Sequence, residues 1–250
     1  MVTGKNSLKG FLLINKPAGI TSFSCVMQLK KLLPKKEKIG HAGTLDPFAN
    51  GLLIVGISRN ATEHMDKLIS LDKKYTVTAQ LGVETDTHDY TGTITKQDDV
   101  SRITKEQLVD ALYSLMPSYI QTPPIFSALK YQGMRLYKYA RNKEVQDIDL
   151  SAVVTAKSRR IFLYDAQVIS FADSFFTLQA HVSHGTYIRS LVSDLAKKIT
   201  VGATACTLCR DAIGPFSLQK ACSIQDFVSL ESIQKNIIPV DSFLSMISAI

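Results

Sequence analysis

Gly40-His-Ala-Gly-Thr-Leu-Asp46-Pro-Phe-Ala-Asn-Gly51, running directly into the apolar Leu52–Ile57, is the most unusual stretch of this chain. Leu52–Ile57 is a short continuous apolar run and predicts a buried strand. The residues before it then form a glycine-flanked loop held at that strand's start. Glycines let a backbone approach a ligand or take positive φ, and loops fixed at strand ends commonly carry reactive groups. His41 and Asp46 are the groups in it with chemistry to offer. The same residues also suit an ordinary loop, with Asp46 bonded to its own backbone in an Asx-turn. Spacing alone leaves both readings open.

Outward from this loop, strands and helices alternate irregularly. Gly10–Asn15 predicts a second buried strand, turned by Lys16-Pro-Ala-Gly19. Thr21 or Ser22 caps a helix with Phe23, Val26, Met27, Lys30 and Leu33 on its inner face, and Pro34 stops it. Lys35, Lys36 and Lys38 follow in a solvated loop. Tyr75, Val77, Ala79 and Leu81 alternate with polar residues, as a half-buried strand does. Thr104 and Gln107 have capping-box spacing before the helix face Leu108, Ala111, Leu112 and Leu115, which Pro117 ends. Residues 117–150 read as an exposed inserted lobe, dense in tyrosines and cations between Ser127 and Arg141. Phe176, Leu178, Ala180 and Val182 predict another strand, leading through His184-Gly185-Thr186 into a helix with Ile188, Leu191, Val192, Leu195 and Ile199 inward. Ser223 and Asp226 start a last short helix. Without a regular βαβ rhythm, the fold class expected is α+β, with a largely antiparallel sheet.

Composition sets the outer bounds. The 250 residues are 45% hydrophobic and 20% charged, enough to build a core, which excludes a disordered chain. A net charge of +7 is compatible with an acidic partner such as nucleic acid, yet far from a basic tail. No apolar run approaches the roughly 20 residues a bilayer requires. The N-terminal run Phe11–Ile14 is too short for a secretory signal, so the cytoplasm is the expected location. Four cysteines fit a reducing compartment. Cys206-Thr-Leu-Cys209 lacks the second close pair of a structural zinc site, and Cys25 and Cys222 are isolated. Small packing thiols are the expectation, with no metal.

Several chemistries lack their motifs. Neither G-x-G-x-x-G nor G-x-x-x-x-G-K-[ST] occurs, which argues against a dinucleotide enzyme or a P-loop kinase. No G-x-S-x-G elbow marks a hydrolase. Glu84, Asp86 and Asp89 lack EF-hand spacing and are expected in a solvated turn.

The run His41-Ala-Gly-Thr-Leu-Asp46-Pro-Phe-Ala-Asn-Gly-Leu-Leu resembles the catalytic motif of RNA pseudouridine synthases, and more narrowly that of the bacterial TruB family. The resemblance extends in order along the chain. Leu13-Ile-Asn-Lys16-Pro-Ala-Gly-Ile-Thr-Ser resembles the family's N-terminal motif, and Lys73-Lys-Tyr75 its tyrosine motif. Gly185-Thr-Tyr187-Ile-Arg189 resembles its arginine motif, and Thr207-Leu208-Cys-Arg210 its late leucine–arginine motif.

That resemblance implies a pseudouridine-synthase fold with an inserted RNA-binding thumb, and isomerisation of uridine 55 in the T-loop of tRNA. Asp46 would be the nucleophile, attacking uracil C6 or ribose C1′ of a flipped-out nucleotide. Arg189 would pair with Asp46 and keep it ionised. A cation in a first helical turn opposes the helix dipole, which itself favours a carboxylate partner. Tyr75 would stack on the base, and His41 would fill the space the base leaves. Tyr187, Lys16 and Leu208 would line the pocket, although a solvated turn for Lys16, a core role for Leu208 and packing at a helix start for Tyr187 are equally open. Lys130, Arg135, Lys138 and Arg141, in a thumb at about residues 122–146, would grip RNA phosphates among stacking tyrosines. The resemblance implies the T-arm of tRNA as partner, no guide RNA, no cofactor, no membrane and a monomer. Residues 1–250 would form a single catalytic domain. The family's usual C-terminal PUA domain is not expected, since nine residues follow Asp241. Two rival readings are an RNA-binding or tRNA-folding protein, and a synthase acting on another RNA.

Overall fold

The structure is a computed structural model that describes residues 8–141 and 148–248. It is mixed α/β with mostly antiparallel sheet, and the chain divides into two compact units, 1–74 with 209–250, and 75–208.

In the first unit the strand Gly10–Lys16 runs antiparallel to Asn50–Ile57, in register from Gly10 opposite Ile57 to Lys16 opposite Gly51. Alternate residues of both strands enter two separate cores. Phe11, Leu13, Leu52 and Ile54 pack with Phe216 and Phe243. Leu12, Ile14, Leu53, Val55 and Ile57 pack with Cys25, Leu29, Phe227 and Ile233. Burial on both faces is why these strands read as unbroken apolar runs. Phe243 anchors the first core by stacking on Phe11 and on Phe216, each at 4.1 Å between ring centroids.

The strand Ile39–Ala42 also pairs antiparallel with Asn50–Ile57, Ile39 opposite Ile57 and Ala42 opposite Ile54. Residues 43–49 are therefore the connection of a β-hairpin, and Asp46 sits in it. The helix Ser22–Leu32 begins at Thr21, whose side chain accepts from the Ser24 N–H. Its buried face is Ser22, Cys25, Val26 and Leu29. Val26 and Leu33 are buried as expected, but Phe23 is 64% exposed and Met27 is also exposed, so the buried face is turned away from these two larger apolar residues. Two faces of this helix carry apolar residues at helical spacing, and the strand pair beneath selects the one that includes the small Ser22 and Cys25. The Ser223–Asp226 capping box closes a single 3₁₀ turn, not the last helix: Leu230–Asn236 and Val240–Ser248 follow it.

In the second unit, Arg159–Ala172 and Phe175–Val182 form a long antiparallel hairpin, and Ser118–Gln121 pairs with the start of Arg159–Ala172. Phe176, Leu178, Ala180 and Val182 point inward as expected. The helix Lys105–Leu115 has the full Thr104–Gln107 capping box and buries Leu108, Ala111, Leu112 and Leu115. It packs against the helix Ile188–Lys198, which buries Ile188, Leu191, Val192 and Leu195.

The lobe after Gln121 has a small core of its own, Leu136, Tyr139 and Val154, with Ile125, Leu129 and Tyr131 against it. A hairpin of Lys130–Tyr131 and Met134–Arg135 precedes the helix Leu136–Arg141. Not all its tyrosines are surface groups: Tyr139 is buried and bonds through its hydroxyl to the Tyr131 carbonyl. Residues 142–146 of the expected thumb lie outside the described residues. No helix among the described residues is long and apolar enough to cross a membrane.

Candidate active site

The Asp46 connection is held from three directions inside the first unit. Ser22, fully buried at the start of its helix, accepts the Leu45 N–H at 2.9 Å and contacts the Leu45 carbonyl. Lys16 ends its strand with its side chain 0% exposed. Its ammonium donates to the carbonyls of Pro17 and Ile20, each at 2.8 Å, and to that of Pro47 at 3.5 Å. This lysine ties two loops together rather than solvating a turn. Burial lowers its pKa to about 8, against the opposing pull of Cys25 and Asp46.

Arg210 is the third support, 1% exposed. Its Nε donates to the Leu52 carbonyl at 2.8 Å and its guanidinium reaches the Gly43 carbonyl at 3.2 Å. One cation therefore grips the loop at both its ends. Gly51 allows this approach. Its φ is +116°, and a Cβ there would lie 2.5 Å from the Arg210 backbone. Asp46 itself is half-buried, and its carbonyl accepts the Ala49 N–H, as in a tight turn. His41 lies on the strand that leads into the connection, partly buried.

In the second unit Tyr187 and Arg189 open the helix Ile188–Lys198, with Tyr187 as its N-cap. Gly185, at φ +78°, makes the turn before it, and Arg159 bonds to the Gly185 carbonyl with its guanidinium 5.9 Å from the Tyr187 ring. Arg189 is 3% exposed. Its guanidinium lies 3.5 Å from the Asp89 carboxylate and donates to the Thr87 and Phe126 carbonyls. Asp89 is thus a buried carboxylate partner of Arg189 within this unit, one the sequence reading does not assign to it.

Asp89 is not in a solvated turn. It is 5% exposed, and one carboxylate oxygen accepts from the Thr87 hydroxyl and from both the N–H and hydroxyl of Thr91. Asp86 is exposed and Glu84 partly so, as expected. Thr-x-Asp-x-Thr spacing around Asp89 is the signal that could have found it, because threonines two residues either side can satisfy a buried carboxylate. Beside it, burial lowers the His88 pKa to about 4, helped by Lys197 and Arg189 and opposed by Asp89 and Asp86.

Tyr75 is partly buried near the start of the strand Lys73–Leu81, and Leu208 is buried in Ala203–Ile213. Lys130, Arg135, Lys138 and Arg141 are all exposed on the lobe, where phosphates can reach them. Cys206 and Cys209 lie in a strand, where residues three apart point to opposite faces. Burial raises the pKa of both, that of Cys209 to about 12, which keeps them as thiols.

Residues 30–188 match the model of the TruB family pseudouridylate synthase N-terminal domain. A tRNA pseudouridine synthase B from Clostridium tetani is 36% identical over 238 residues, covering 95% of this chain and 78% of that protein. One from Protochlamydia amoebophila is 37% identical over 239 residues, covering 96% and 87%. Among solved structures, a chain of a Cbf5–Nop10–Gar1 complex aligns with a TM-score of 0.70 at 24% identity, over 96% of this chain and 62% of that one. A chain of an H/ACA RNP bound to a substrate RNA aligns at 0.68 and 21% identity, over 98% and 64%. This chain spans less than two thirds of either, and at such identity the likeness concerns the fold.

Proposed function

The chain belongs to the TruB family of pseudouridylate synthases, enzymes of the isomerase class, and from that premise we propose that it converts uridine to pseudouridine in tRNA, at position 55 of the T-loop. The reaction exchanges the bond between ribose C1′ and uracil N1 for one between C1′ and C5. N1 gains a proton and C5 loses one, so atoms balance with no net oxidation. The uridine must leave its stack before any of this.

The observation that carries the reading is the loop around Asp46. A carboxylate that must form and release a covalent bond needs a fixed position, and a hairpin connection is ordinarily mobile. Here buried Lys16 and Arg210 bind carbonyls around it. We assign Asp46 as the nucleophile at C6 or C1′. Tyr75 stacks on the extracted base, and Arg189 keeps the reacting carboxylate ionised. His41 fills the space the base leaves, and Tyr187 and Leu208 line the pocket. These roles rest on the family resemblance. Lys16 serves the site by holding the loop. Lys130, Arg135, Lys138 and Arg141 are exposed cations that suit phosphate contacts, and on them we place the grip on the T-arm.

Asp46→Asn keeps size and removes the charge and the nucleophilic oxygen. Tritium release from C5-labelled uridine in a T-arm hairpin is expected to fall by several orders of magnitude. Filter-binding affinity is expected to change by less than about 1.4 kcal/mol, a factor of ten. Near-normal tritium release from this variant overturns Asp46 as nucleophile. Tight binding by the wild type without tritium release from any tRNA favours an RNA-binding or folding protein. Release only from a different RNA favours a synthase with another substrate.

A further inference from the structure

Gln121 ends the strand Ser118–Gln121 and is 1% exposed. Its side-chain oxygen accepts the Tyr187 N–H at 2.8 Å, and its Nε2 donates to the Tyr187 carbonyl at 3.1 Å. A backbone N–H only donates and a carbonyl only accepts, so this pair fixes which way the amide points. The second Nε2 hydrogen goes to the Tyr119 hydroxyl at 2.8 Å. That hydroxyl must therefore send its own proton onward, to Asp194 at 3.0 Å. Asp194 lies on the same helix as Arg189.

The contacts continue along the chain that follows. The Thr122 carbonyl accepts from the Ser190 hydroxyl at 3.0 Å, and the Phe126 carbonyl from Arg189 at 2.9 Å. Residues 119–126 thus meet the helix at 187, 189, 190 and 194. The N-cap residue Tyr187 makes no side-chain capping bond of its own, and the first turn holds no acidic residue. A local Ser or Asp cap would ordinarily fix such a helix end. Here the cap position carries an aromatic ring, and its backbone is held by an amide 66 residues away.

We infer that Gln121 is a positioning residue: by clasping both backbone polar groups of Tyr187, with Tyr119 and Asp194 bracing it, it sets the direction of the helix start and so the aim of the Tyr187 ring and the Arg189 guanidinium. The inference rests on the isomerase reading of that site. It predicts a loss in the chemical step rather than in RNA affinity, because none of these bonds is made to an exposed cation of the lobe.

Gln121→Met preserves length and removes all three bonds. With folding checked by thermal melting, single-turnover tritium release should fall about tenfold to a hundredfold, the cost of a small misplacement of reacting groups. The tRNA dissociation constant should move by less than about threefold. Gln121→Glu supplies an internal rescue. As a carboxylate it still accepts the Tyr187 N–H but cannot donate to the Tyr187 carbonyl. Once protonated, its hydroxyl restores that donor. Its rate relative to wild type should therefore climb as pH falls from alkaline to mildly acidic, while the relative rate of Gln121→Met stays flat. Tyr119, Asp194 and Arg159, which stands opposite Gln121 in the neighbouring strand, are the titratable and charged groups facing position 121. All are present in every protein compared, so the ratio to wild type cancels their own titration, while the Arg159 cation moves the pH at which the Gln121→Glu ratio climbs toward acid. A wild-type rate in folded Gln121→Met, a loss expressed wholly in binding, or a flat ratio for Gln121→Glu each overturns the inference. Tritium release by the wild type tests the isomerase reading separately. A silent wild type overturns both, and an active wild type with an unimpaired variant overturns only the role of Gln121.

Discussion

Asp89→Asn isolates one charge in the second unit almost without changing shape. The asparagine oxygen can take the place of the carboxylate oxygen that accepts from Thr87 and Thr91, keeping those bonds. The amide nitrogen then replaces the oxygen that lies 3.5 Å from Arg189, and sets a donor against a cation. At an effective dielectric of about 20, a charge pair at that distance is worth about 5 kcal/mol. Removing one partner of a buried pair typically costs about 3–5 kcal/mol, because the remaining charge stays buried. The Thr87 and Phe126 carbonyls continue to hold the guanidinium, which reduces the loss to about 3 kcal/mol. Urea unfolding followed by circular dichroism measures it, and single-turnover tritium release should fall with it as Arg189 loses its aim. A variant whose unfolding free energy stays within about 0.5 kcal/mol of wild type, as at an ordinary surface site, would refute a structural role for this pair.

Replacing Lys130, Arg135, Lys138 and Arg141 together with glutamine should weaken T-arm binding and flatten its salt dependence. For every phosphate that no longer meets a cation, the slope of log K against log salt should change by roughly 0.7–0.9. A filter-binding series with wild-type slope and affinity would remove the lobe from the grip. His88 gives an acid limb to stability. Its folded pKa, about 4, lies below the ordinary 6.5, so its contribution is complete above 6.5. It is lost as pH falls toward 4, because the unfolded chain binds a proton that the folded one refuses. Urea midpoints across that window should drop less for His88→Gln than for wild type, and equal drops would count against a buried neutral imidazole.

Much of this architecture is legible in the sequence because local pattern and tertiary role agree. Phe176 to Val182 alternate and bury alternately, and the Thr104–Gln107 box opens the helix it predicts. The strand Arg159–Ala172 is hidden for two reasons. Register shifts after Leu163 and Val168 break its period of two, and Phe162, Tyr164 and Ile169 are apolar residues on its exposed side. The helix at Ser22 misleads about its buried face because side-chain size favours Phe23 and Met27, while close packing chooses Ser22 and Cys25. Asp46, Arg189 and Tyr75 stand out through motifs. Arg210 stands in the late leucine–arginine motif and Asp89 between two threonines, but what Arg210 grips and the role of Gln121 do not show, since a buried polar residue is explained by its partner. The partners of Arg210 lie 158 and 167 residues away, and that of Gln121 lies 66 away. No window of sequence contains such a pair.

The ammonium of Lys16, ringed by the carbonyls of Pro17, Ile20 and Pro47, does for these loops what a bound calcium ion does elsewhere: it gathers oxygen atoms around a positive centre. An ion written into the sequence cannot diffuse away, so the loop carries its own permanent ligand. It has a vulnerability that calcium lacks, because it can lose its charge by giving up a proton near pH 8. It is also an amine, and amine-directed reagents reach it only when the ring of carbonyls opens. The rate at which Lys16 becomes acylated in the folded protein is therefore a clock for the opening of the Asp46 loop.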